Sequence, residues 1–150
     1  MTPDEYAHNI DKQCLGRLEF EYAICLHEGN WQQGGVHLLA DAFRLPLRAI
    51  QGVPKKGQLP PTHSLFTIEP AEDIQISAFY KSNQAGGYIL RLWNCKNKDA
   101  RTKITFNMDI SSTELVSMDE QKKQESLEVE DSCITLEISK LKIVTLLIKV

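Results

Sequence analysis

Glu19 and Glu21 stand two residues apart in the run Leu18-Glu19-Phe20-Glu21-Tyr22-Ala23-Ile24-Cys25-Leu26. On an extended backbone that spacing sets both carboxylates on one face. Paired carboxyl groups are the working parts of glycosidases, about 5 Å apart in retaining enzymes and wider in inverting ones. The outward positions of a half-exposed strand carry charge for a simpler reason, and that reading accounts for both glutamates without a reaction. His27 and Glu28, beside Gly29, form an acid–base pair on a loop with nothing to activate. The chain has no G-x-S-x-G motif and no cysteine with a placed histidine. His8, His37 and His63 stand alone and read as surface or packing histidines. Gly34-Gly35 and Gly86-Gly87 lack the spacing and the flanking strand and helix of a phosphate cradle. Four aromatics, Trp31, Tyr80, Tyr88 and Trp93, have rings that can stack on sugars. Tyr80 and Trp93 fall in strand-like runs, where large aromatics fill a core. Trp31 alone lies in a loop ahead of a helix. It is the carbohydrate-binding candidate, with a hydrophobic staple as its other reading. No catalytic residue and no metal ligand emerges.

The cysteines add no chemistry. Cys14, Cys25, Cys95 and Cys133 are scattered, no C-x-x-C occurs, and no histidine pair has metal-ligand spacing. Cys25 and Cys133 lie in apolar alternating stretches and read as small buried hydrophobes. The amino-terminal stretch MTPDEYAHNIDKQ is polar and acidic, unlike a secretory signal, so the expected compartment is a reducing cytoplasm with free thiols. Seventeen basic against 20 acidic side chains leave a net charge of −3, with no basic stripe to bind nucleic acid. No apolar run approaches the roughly 20 residues of a membrane-spanning helix.

The elements that must position these residues are mostly strands. Residues 18–26 alternate most cleanly, with Leu18, Phe20, Tyr22, Ile24 and Leu26 on one face. The period then changes: Val36, Leu39, Ala40 and Phe43 recur at helical spacing, with Asn30 as candidate N-cap and Pro46 as the stop. Gly34 and Gly35 weaken the first turn, which predicts a later start. The run Gly52-Val53-Pro54-Lys55-Lys56-Gly57-Gln58-Leu59-Pro60-Pro61 is breaker chemistry and marks the best internal boundary. Beyond it, short alternating runs predict strands over 64–69, 74–81, 88–94, 102–108, 113–117, 126–129, 133–138 and 143–150. Residues 83–87 should form a hairpin loop, and the mixed-sign run 119–124 a solvated loop. The expected fold is mainly β: an antiparallel β-sandwich with one short helix near the end of the amino-terminal third.

An ordered series of short motifs extends this reading. Gln13-Cys14-Leu15-Gly16, then Phe20-Glu21-Tyr22-Ala23-Ile24, then His27-Glu28-Gly29-Asn30-Trp31, resembles the carboxy-terminal region of glycoside hydrolase family 38 α-mannosidases. The resemblance continues through Pro46-Leu47-Arg48-Ala49, Gly57-x-Leu59-Pro60 and Ser64-Leu65-Phe66. It runs on through Ala78-Phe79-Tyr80-Lys81-Ser82 and Gly87-Tyr88-Ile89-Leu90-Arg91-Leu92-Trp93-Asn94 to the closing strand Lys142-Ile143-Val144-Thr145-Leu146-Leu147-Ile148. Bacterial members such as mannosylglycerate hydrolases are the most similar in pattern.

The resemblance implies that residues 1–57 are the last strand and helix of a large β-sandwich region. Residues 58–150 are then a small carboxy-terminal β-sandwich domain. It implies a parent enzyme whose zinc and aspartate nucleophile sit on a separate barrel domain, so that this stretch alone needs no cofactor and is inactive. Its expected partners are the rest of the parent α-mannosidase chain and a second copy in a homo-oligomer, with no nucleic acid and no membrane. A different class, an autonomous carbohydrate-binding module using Trp31, is the alternative.

Overall fold

In the computed structural model, which describes residues 16–53, 55–83 and 86–150, eight strands follow one short helix, and alternation of apolar and polar side chains is cleanest in the strands Phe66–Glu69, Ala100–Phe106 and Cys133–Ile138. The elements are α1 (Val36–Arg44), β1 (Phe66–Glu69), β2 (Ile74–Lys81), β3 (Tyr88–Asn94), β4 (Ala100–Phe106), β5 (Ser112–Val116), β6 (Lys123–Leu127), β7 (Cys133–Ile138) and β8 (Ile143–Lys149). Strand β4 shows how the pattern works. Ala100, Thr102, Ile104 and Phe106 are buried while Arg101 and Lys103 face water, as a pleated strand with one wet face requires.

The strands form two antiparallel sheets, β1-β4-β7 and β2-β3-β8-β5-β6. Between them lies one core. Leu90 and Leu92 of β3 and Leu146 and Ile148 of β8 meet Ile104 and Phe106 of β4 and Ile134, Leu136 and Ile138 of β7. Each such side chain contributes roughly 1.5–3 kcal/mol by leaving water. This is the β-sandwich that the alternation predicts. The hairpin before β3 tightens at Gly86 and Gly87, with φ of 62° and 118°. A Cβ at Gly87 would collide with the Ile148 carbonyl oxygen of the neighbouring strand, so the close approach of β3 and β8 there requires glycine.

Three expectations need correction. The run 18–26 pairs with nothing among the described residues, and Leu18, Phe20, Tyr22, Ile24 and Leu26 are 60% to 95% exposed. A strand exists through its ladder, and local alternation supplies only the willingness to pair. The helix starts late, at Val36, as Gly34 and Gly35 predict, but its N-cap is Gly35 and not Asn30, which caps a separate turn. Asn30 Oδ1 accepts the Gln33 N–H at 2.9 Å and Gln33 Oε1 accepts the Asn30 N–H at 3.0 Å, a reciprocal capping box. Gly35, at φ 63°, then breaks the path before α1 restarts. Finally, β6 lies at 123–127 rather than 126–129. Val116 pairs with Lys123 and Thr113 with Leu127, which draws the end of the charged loop into an edge strand.

Candidate functional site

The best-organised polar region joins the amino-terminal turn to one end of the sandwich. Asn94, at the end of β3, is fully buried. Its Nδ2 donates to the carbonyls of Lys98 at 2.8 Å, Ile138 at 2.9 Å and Ser139 at 3.3 Å, and its Oδ1 accepts the Lys96 N–H at 2.9 Å. The 95–98 loop is thereby fixed from beneath. Asp73, also buried, holds Lys98 Nζ at 3.0 Å and Lys96 Nζ at 3.9 Å. The Asp73 carbonyl accepts the Cys95 N–H at 3.2 Å and the Cys95 thiol at 3.3 Å. Burial pushes the Cys95 thiol up from its ordinary value, so it stays protonated and unreactive near neutral pH.

The amino-terminal turn docks on this loop. Gln32 Nε2 donates to the Cys95 carbonyl at 2.6 Å, and Lys96 Nζ donates to the Gln32 carbonyl at 3.2 Å. Between the two segments lies a groove of about 290 Å³ lined by Asn30, Gln32, Gln33, Lys96, Asn97 and Lys98. Trp31, between two of these amides in the chain, is 42% exposed, and its ring meets His37 edge-on at 5.9 Å. With Asn30 as cap, the staple positions would be Gly29 and Gly34, so Trp31 is not a staple. His37 is buried, and among the described residues neither ring nitrogen has a hydrogen-bond partner.

A second polar cluster lies on the outer face of the five-stranded sheet. The loop after β5 crosses β8 and β3 to reach β2. There Glu120, with φ of 64°, accepts hydrogen bonds from the Tyr80 hydroxyl at 2.6 Å and the Ser82 hydroxyl at 2.7 Å. Arg91 braces the loop from β3, donating to the Met118 carbonyl at 2.9 Å and to Thr145 Oγ1 at 3.2 Å. The two hydroxyls hold the Glu120 carboxyl below its ordinary range. The same Glu120 bond pushes the Tyr80 phenol up.

Tyr80 was expected inside the core, and the register explains why it is not. Ile76 pairs with Leu92 but Ala78 pairs with Arg91, so a bulge at 76–78 reverses the parity of β2. Phe79 therefore turns inward, 5.2 Å from the Phe66 ring and stacked on Tyr88 at 5.7 Å, while Tyr80 turns out. Trp93 is half-buried.

The remaining sequence candidates do not converge. Glu19 pairs with Arg17 at 2.6 Å on an exposed segment, and Glu21 is exposed beside it. The His27 ring lies 3.4 Å from the Glu28 carbonyl oxygen rather than its carboxylate. His63 is exposed. His8 and Cys14 lie outside the described residues. Cys25, expected buried, is exposed because the run 18–26 has no partner among the described residues; Cys133 is half-buried and Cys95 fully buried, all three as free thiols. Among the described residues no group of three His, Cys, Asp or Glu side chains could hold a metal ion. The donor set a zinc centre needs is therefore not found there. No described helix is long and apolar enough to cross a membrane. Sequence reading missed Asp73, Lys96, Lys98 and Glu120. Their partners are brought together by topology, and no local signal in the sequence marks them.

The described sandwich is thus eight-stranded and antiparallel, with polar clusters at one end and on one outer face. Residues 73–146, from the residue before β2 into β8, match the family model described as the glycosyl hydrolases family 38 C-terminal beta sandwich domain. The sandwich carried by this segment belongs to that family. Motifs ahead of residue 73 lie outside the matched segment. No curated protein and no solved structure matches the chain.

Proposed function

We propose that this chain is the non-catalytic carboxy-terminal β-sandwich portion of an α-mannosidase. Its work is to pack on the parent's catalytic domain, close that domain's rim, and build an oligomer interface. The observation that carries the reading is the family match, which spans β2 to β7 whole and the first part of β8. Residues 1–57 are the last strand and helix of a larger sandwich region in this reading, and 58–150 the small terminal one. The exposed apolar face of 18–26 supports it, since that strand has the pattern to complete a sheet supplied by other residues. Zinc and the aspartate nucleophile belong to the parent's barrel, and the enzyme works in a reducing cytoplasm.

The purified chain, incubated with an aryl α-mannoside and added zinc, is expected to show no turnover. Turnover would overturn the proposal. A second reading, an autonomous carbohydrate-binding module, is favoured by one observation: Trp31 stays half-exposed beside a groove of amides and lysines. Titrating tryptophan fluorescence with mannose oligosaccharides separates the two, and an unchanged signal at saturating sugar removes the second.

A further inference from the structure

We infer that the groove between the 30–33 turn and the 95–98 loop binds a small polyhydroxylated anion, a sugar phosphate or a sugar acid. At about 290 Å³ it is near the lower bound of small-ligand sites, the size of one sugar unit rather than an oligosaccharide. Its walls come from two segments that are each held rigid before any ligand arrives. The capping box fixes Asn30 and Gln33, and Asn94 fixes the 95–98 loop. Gln32 ties one segment to the other. A preorganised wall spares a ligand the cost of ordering it.

The free hydrogen-bonding groups are mostly donors. The capping box uses the side-chain oxygens of Asn30 and Gln33, and among the described residues neither NH₂ group has a partner. Asn97 brings a further amide. Lys96 and Lys98 bring six ammonium protons between them (three each), of which Asp73 and the Gln32 carbonyl engage only some. Two lysines over one buried carboxylate leave one net positive charge at the groove. Donor-rich and cationic walls select a ligand rich in acceptors and negatively charged. Gln32 Oε1 and Asn97 Oδ1 are the lining amide oxygens without a partner among the described residues, and each can accept from a ligand hydroxyl. No apolar side chain lines the groove, and a neutral sugar leaves its net positive charge unanswered.

The choice of mannose-based probes rests on the glycosidase reading above; the chemistry of the groove does not. The test is amide chemical-shift mapping on the full 150-residue chain. Mannose 6-phosphate, mannonate, mannose and inorganic phosphate are each titrated separately. The hydroxylated anions are expected to saturate with shifts centred on residues 30–33 and 95–98, about tenfold more tightly than mannose or phosphate alone. Saturation by one anion only assigns the ligand to that source. Lys98→Gln, at a largely exposed side chain, should weaken anion binding about tenfold and leave mannose unchanged, with the melting temperature as the check on folding. Asn97→Ala should weaken the hydroxylated anions more than inorganic phosphate. No shifts at these residues at tens of millimolar, or phosphate binding as tightly as the sugar phosphate, overturns the proposal. The mannoside assay is untouched by that outcome, so the two readings fail separately.

Discussion

Asn94 does more structural work than any other polar side chain described, since four hydrogen bonds converge on an amide with no access to water. Alanine there would strand buried carbonyls, each at the cost of an unmade bond. We expect Asn94→Ala to lower stability by about 2–4 kcal/mol in urea unfolding. Glu120 makes a different prediction because it is a surface group whose charge matters. Its folded-state pKa lies below the unfolded value, so its stabilising effect is complete above the unfolded pKa of about 4.3 and is lost as pH falls through the folded value. Tyr80 runs the opposite way: its raised pKa means that stability is present below the ordinary phenol value of about 10 and is lost as pH rises through the folded one. Tyr80→Phe removes the bond that dominates both shifts. The variant's melting temperature should fall less between pH 7 and pH 3.5 than that of the parent, as followed by circular dichroism.

Among the elements, β2, β3 and β7 begin and end where alternation alone predicts, because their ladders satisfy the same residues that set the pattern. What alternation could not reveal has three physical origins. The bulge in β2 inverts the faces of Phe79 and Tyr80, and no residue type announces it. The Tyr80–Glu120 bond spans 40 positions and depends on where two strands fall in a sheet. Residues 18–26 carry the cleanest pattern in the chain yet pair with none of the described residues, because a strand needs a neighbour that local sequence cannot supply. The groove at 30–33 and 95–98 was half visible: Trp31 marked the turn, but nothing in the sequence marked the loop 64 positions away that faces it. Two measurements follow at this scale. Gly87→Ala should destabilise by about 2–3 kcal/mol, through both its positive φ and the collision with Ile148, as read in thermal unfolding. Replacing Phe20 and Ile24 by serine should reduce binding of a hydrophobic dye while shifting stability by less than about 0.5 kcal/mol, since neither side chain is packed.

Across the whole molecule, the exposed described residues between Leu45 and the start of β1 separate a sparsely packed segment, 16–44, from a well-packed sandwich. Brief digestion with trypsin should cut first after Arg48, Lys55 or Lys56, all exposed, and leave a fragment that still unfolds cooperatively on heating. That fragment would carry the family-matched segment whole. The order of the five-stranded sheet has a consequence during synthesis. Strand β8, the last of the eight to be made, lies between β3 and β5. Until it emerges, no strand bridges those two, and Leu90 and Leu92 have no Leu146 or Ile148 beside them. The nascent sandwich therefore waits as an open, sticky intermediate for its final seven-residue strand. A message ending a few codons before that strand would yield a client for chaperones and proteases rather than a shortened working domain.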